Sequence, residues 1–152
     1  MKLIALLGVA LSITVLPSCE SVPSPKTKPE IQQRSTDQLP PQTLKAGDCG
    51  LFLWTLDTKK RLVFFQKQGE STAKIMDKSK TINLQKISAT QDIGVGDDIG
   101  ISYSAVGYDS VMLSGKFTEA LQDGQRVRAT LKSVKPDGWQ AIMPLAGVYV
   151  CE

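Results

Sequence analysis

Gln125–Lys135 reads Gln-Arg-Val-Arg-Ala-Thr-Leu-Lys-Ser-Val-Lys, and its side chains alternate in character. Val127, Ala129 and Leu131 fall on one face, while Arg126, Arg128, Thr130 and Lys132 fall on the other. A repeat of two is the period of a strand with one buried face, whereas a helix repeats every 3.6 residues. Turn signals bracket this strand: Asp123-Gly124 before it and Pro136-Asp137-Gly138 after it. Beyond the second turn, Trp139–Cys151 predicts a closing strand bent near Pro144 or Gly147, residues that interrupt a ladder or let it bend.

Toward the N-terminus the same grammar repeats. Cys49–Leu56, Arg61–Lys67, Ala73–Asp77 and Lys80–Ile87 predict four strands. Asp57–Lys60, Gln68-Gly69-Glu70 and Lys78-Ser79 separate them as turns. Asp92–Gly100 predicts a Gly- and Asp-rich loop, with short strands at Ile101–Ser104 and Ser110–Leu113 around Gly107. A short helix is expected around Lys116–Gln122. About eight short antiparallel strands, with turns between them, predict an all-β fold, either a small barrel or a sandwich. Trp54 and Trp139, on the opening and closing strands, are expected in its core, a ligand platform being the alternative.

The chain has 152 residues, 18 Lys and Arg, 15 Asp and Glu, and no His. Without His there is no Ser-His-Asp or Cys-His nucleophile system and no His-ligated zinc site. A net charge of +3 is too small to imply nucleic-acid binding. Ser71-Thr72-Ala73-Lys74 matches the Ser-x-x-Lys spacing of Ser-Lys hydrolases. That chemistry needs both groups on one helical turn, and residues three apart on a strand point to opposite faces. Gly94, Gly96 and Gly100 have neither the spacing nor the following helix of a phosphate loop, and Asp97-Asp98 lacks calcium-loop spacing. The chain is therefore expected to have no catalytic residues, no metal and no cofactor.

Met1-Lys2 is followed by an uncharged apolar run from Leu3 to Leu16, then Pro17-Ser18-Cys19. A run of fourteen residues is too short for a bilayer core about 30 Å thick, so it predicts a signal peptide, not a membrane span. Leu16-Pro17-Ser18-Cys19 resembles the lipobox of bacterial lipoproteins. The resemblance implies cleavage before Cys19 and acylation of its thiol, with several chains giving a stable membrane anchor. The next residue, Glu20, implies outer-membrane sorting by the enterobacterial rule. Residues 1–18 are then the lipoprotein signal peptide. Residues 19–48 are the lipidated Cys19 and a disordered tether holding five of the chain's eight prolines. Residues 49–152 are the compact β domain, since every Phe, Trp and Tyr lies at or beyond Phe52. With Cys19 consumed by lipid, Cys49 and Cys151 remain, and an oxidising periplasm favours one disulfide joining the first and last strands.

Cys49-Gly50-Leu51-Phe52-Leu53-Trp54, with Asp137-Gly138-Trp139 and the terminal Val150-Cys151, is similar to a group of small exported alphaproteobacterial proteins. Leu62–Ala120, through Gly100 and Tyr103, also resembles membrane-bound inhibitors of C-type lysozyme, small β-barrel lipoproteins. The second resemblance implies contacts from Gly100 and Tyr103 to a lysozyme-like partner. The same match partly guides a second expectation: the connection Asp92–Tyr108 presents Tyr103 and Tyr108 as recognition residues, the alternative being that both rings pack into the barrel end. Arg126, Arg128 and Lys132 form a basic stripe suited to an anionic lipid, polysaccharide or acidic protein. The expected function is a non-catalytic, lipid-anchored envelope module that binds a protein or cell-wall glycan. Lysozyme inhibition and Ser71–Lys74 hydrolysis are the alternatives.

Overall fold

The computed structural model describes residues 37–91 and 95–152. The signal peptide, Cys19, the tether up to residue 36 and residues 92–94 lie outside the described residues. Eight strands follow in order: β1 Cys49–Thr55, β2 Leu62–Lys67, β3 Thr72–Asp77, β4 Lys80–Gln91, β5 Asp98–Ala105, β6 Tyr108–Leu121, β7 Gly124–Val134 and β8 Gln140–Cys151. Each pairs antiparallel with the next, and β8 pairs back onto β1 to close a barrel. Closure removes both sheet edges and decides between barrel and sandwich.

The alternation along Gln125–Lys135 is the inside-outside alternation of β7. Val127, Ala129 and Leu131 point inward and meet Phe117, Leu113 and Leu145 among the interior side chains. β1 contributes Leu51 and Leu53, β2 Phe64, β3 Ile75, β4 Leu84 and β5 Ile99, Ile101 and Tyr103. Eight strands give an interior just wide enough for side chains to fill, and these residues fill it. Gly147 of β8 pairs with Leu53 of β1, and a Cβ there would run into the Phe52 carbonyl oxygen. At the seam, Cys49 pairs with Cys151 in register and the two form the expected disulfide, with their Cα atoms 4.0 Å apart.

Three expectations change. Lys116–Leu121 belongs to β6 and is not helical, because Phe117 is needed inside the barrel at 1% exposure and Lys116 pairs with both Asp98 and Arg128. The strand expected at Ser110–Leu113 therefore runs on through Leu121. The segment 37–48, expected as disordered tether, lies against the barrel. Leu39 is 2% exposed and its N–H donates to the Leu62 carbonyl at 2.7 Å. Lys74 donates to Gln42 Oε1 at 3.0 Å, and Asp48 pairs with Lys67 at 2.8 Å. Leu44 lies over Gly50, next to the outward rings of Phe52 and Phe65. Those rings leave apolar surface outside the barrel, and the segment covers part of it. Finally, neither tryptophan is in the core: Trp54 is half-buried on the outer wall, and Trp139 is 53% exposed beside the β7–β8 turn.

Candidate functional site

The residues expected to bind do not assemble into one surface. Tyr103 is inside the barrel at 0% exposure, its ring edge-on to Phe64 and its hydroxyl donating to Gln66 Oε1 at 2.7 Å. This corrects its placement on an exposed recognition loop. Most of the expected loop is strand, and period two turns Ile99, Ile101 and Tyr103 inward together. Gly100 faces the outer wall beside Thr90 and pairs with Ser114. Tyr108 is at one end of the barrel, where its hydroxyl donates to Asp77 Oδ2 at 2.5 Å and Lys135 Nζ sits 5.6 Å from its ring centroid. Lys132 is on the outer wall between Met112 and Ile142, which are themselves exposed.

Arg126 and Arg128 fare differently. They are successive outward residues of β7, and the barrel register carries each across β8 to an aromatic residue of β1. Arg126 pairs with Val148, which pairs with Phe52. Arg128 pairs with Ala146, which pairs with Trp54. Small side chains on β8 thus lie between long ones on β7 and β1, and the result is an open cleft of about 480 Å³. Its walls include Trp54, Leu56, Lys60, Thr118, Arg126 and Arg128, with Ala146 and Val148 between them. The Trp54 ring lies nearly parallel to that of Phe52, with centroids 6.2 Å apart.

Local chemistry holds the rim in place. Asp57 accepts hydrogen bonds from Thr55 Oγ1 at 2.7 Å, from the N–H groups of Lys59 and Lys60 and from Arg61 Nη2 at 2.6 Å. The Thr55 hydroxyl, and then Arg61, hold its carboxyl below the ordinary range. The β1–β2 loop that carries Leu56 and Lys60 is ordered around this acceptor. Arg126 pairs with Glu119 at 2.8 Å. Among the described residues, no carboxylate lies within ion-pair distance of Arg128 or Lys60. Cations outnumber anions around an aromatic wall, and the cleft is suited to a ligand with a flat apolar part and an anionic part.

The other candidate chemistry is not gathered. Lys74 faces outward on β3 and is bound to Gln42, while Ser71 precedes the strand and its carbonyl accepts from the Lys86 N–H. Asp98 is paired with Lys116 at 2.7 Å. Among the described residues, no three Cys, Asp or Glu side chains come together as a metal-ligand cluster. No protein family, curated protein or solved structure matches the chain.

Period two contained a signal for the missed wall residue. Once Leu51 and Leu53 are placed inside, Trp54 must face out. The apolar run Cys49–Leu56 hides this, because both faces of the strand carry apolar residues.

The tyrosines supply a pH prediction. All three hydroxyls are held above the ordinary range near 10: Tyr103 and Tyr149 by burial, Tyr108 by burial and then by Asp77. The fold favours the neutral form, while the unfolded chain ionises near pH 10. Their contribution to stability is therefore full below about pH 10 and is lost as pH rises further. Tyrosinate absorbance should stay low above pH 10 and then rise in one cooperative step with unfolding. A gradual rise centred near pH 10 in folded protein would contradict the burial.

Proposed function

We propose that the protein is a lipid-anchored, non-catalytic module of the bacterial outer membrane. Its barrel faces the periplasm and binds a protein or glycan partner. The observation that supports binding is the cleft that joins Trp54 to Arg126 and Arg128 on the outer wall. Location rests on Leu16–Cys19 and Glu20. The lysozyme-inhibitor alternative loses its main contact, since Tyr103 is enclosed and its hydroxyl is occupied by Gln66. The Ser-Lys alternative lacks a helix to bring Ser71 and Lys74 together.

Palmitate supplied to growing cells should label the wild type and not Cys19→Ser, and equal labelling of both would remove the anchor from this reading. With crosslinking in intact envelopes, the full-length wild type should capture partner material that a Trp54→Ala/Arg128→Glu variant loses by about tenfold, the usual scale for a central interface residue. Outer-wall changes of this kind leave stability nearly intact, so the variant should melt within a few degrees of the wild type. Undiminished capture by the folded variant would place binding elsewhere.

A further inference from the structure

We propose that the cleft takes an acidic sugar, one ring lying against Trp54 and its carboxylate or phosphate held by Arg128. This rests on the reading of the cleft as the binding surface and names the ligand class.

Three features point to that class. The first is the wall. Trp54 is half-buried and lines the opening, so it offers an aromatic surface already fixed by Phe52. The C–H face of a sugar ring is apolar enough to pack on indole, while its hydroxyls stay in water. The second is the span. Arg128 and Trp54 are separated by Ala146 alone, two strand spacings or roughly 10 Å. The cleft volume of about 480 Å³ falls among small-ligand sites and suits one or two sugar rings better than a protein element. The third is charge. Arg128 and Lys60 have no carboxylate partner among the described residues, and Glu119 already occupies Arg126. A guanidinium presents a planar fork that fits carboxylate and phosphate alike. A neutral sugar would leave that fork unused. A purely apolar ligand would leave Arg128 and Lys60 unanswered.

The full-length chain with Trp139→Phe makes Trp54 the sole tryptophan and lets its emission report the cleft directly. Trp139 is exposed, so the change should not disturb the fold. In detergent this protein is titrated with four probes: the disaccharide of N-acetylglucosamine and N-acetylmuramic acid, a glucosamine disaccharide phosphate, the neutral N-acetylglucosamine disaccharide, and inorganic phosphate. One acidic disaccharide should shift Trp54 emission at about tenfold lower concentration than the neutral one. Which acid does so distinguishes a carboxylate source from a phosphate source. Arg128→Glu should erase the preference for acid, while Lys132→Glu, on the same strand outside the cleft, should keep it. Equal binding of acidic and neutral sugars would overturn the proposal, as would a response to inorganic phosphate that matches the sugar phosphate. If no sugar moves Trp54 emission but Trp54→Ala/Arg128→Glu still loses envelope capture, the cleft binds a protein; the ligand class falls and the binding surface stands. If capture also survives, both fall.

Discussion

Loss of the Cys49–Cys151 bond should lower the stability of the barrel by about 2–5 kcal/mol. The two cysteines are 102 residues apart, so the bond closes nearly the whole domain into one loop in the unfolded chain. Chain-entropy reasoning for a loop of about 100 residues gives roughly 4.7 kcal/mol, and domains of this size are stable by only about 5–15 kcal/mol. The bond also sits at a sensitive place. β1 and β8 are far apart in sequence and must find each other to close the barrel, with Cys49–Cys151 as the terminal pair of their ladder. Beyond that pair the Gly47 N–H donates to the Glu152 carbonyl and the Glu152 N–H to the Asp48 carbonyl, continuing the seam. Guanidinium unfolding of the Cys49→Ser/Cys151→Ser double variant should show the midpoint drop. The denaturant slope should rise, since an uncrosslinked chain exposes more surface. A loss below about 1 kcal/mol would mean that the seam holds itself without the crosslink.

How much of this could be read from residues alone depended on how many faces of a strand were covered. β7 has one face in the core and one in water, so Gln125–Lys135 could be read outright. β1 has Leu51 and Leu53 inside and Phe52 beside Trp54 outside, so its strand character was visible but its orientation was not. The length of β6 is hidden because Gly115 interrupts its apolar alternation between Leu113 and Phe117. Gly115 is an inward position with no room for a Cβ against the Arg128 carbonyl. Leu39 and Leu44 were lost among prolines, although Pro40 and Pro41 suit a segment that runs along a wall without joining a ladder. The cleft was only half legible. Arg126 and Arg128 were visible as a stripe, but their nearness to Trp54 depends on β8 lying between β7 and β1. That neighbour relation follows from closing the barrel and has no local signature.

Tyr103 belongs to the barrel interior and not to an exposed loop, and Tyr103→Ala should cost about 3–5 kcal/mol. The ring is fully enclosed and packs against Phe64 at 6.0 Å between centroids. Truncation leaves a cavity in a wall of paired strands that has little freedom to collapse. It also removes the partner of Gln66, a polar side chain only 7% exposed whose remaining contact is a 3.5 Å bond to the Glu70 carbonyl. Tyr103→Phe separates these effects: the ring stays, the Gln66 oxygen is left without its donor, and the loss should be about 1–3 kcal/mol. Tyr108→Ala provides the contrast. Its ring is half-buried at the barrel end under Lys135, so it should cost less than Tyr103→Ala although both residues were expected on one recognition loop. Because neither tyrosine lines the cleft, the folded fraction of each variant should keep the Trp54 emission response of the parent. If Tyr103→Ala melts within a degree or two of the wild type and loses partner capture, the ring belongs to a recognition surface after all and the interior described for β5 is wrong.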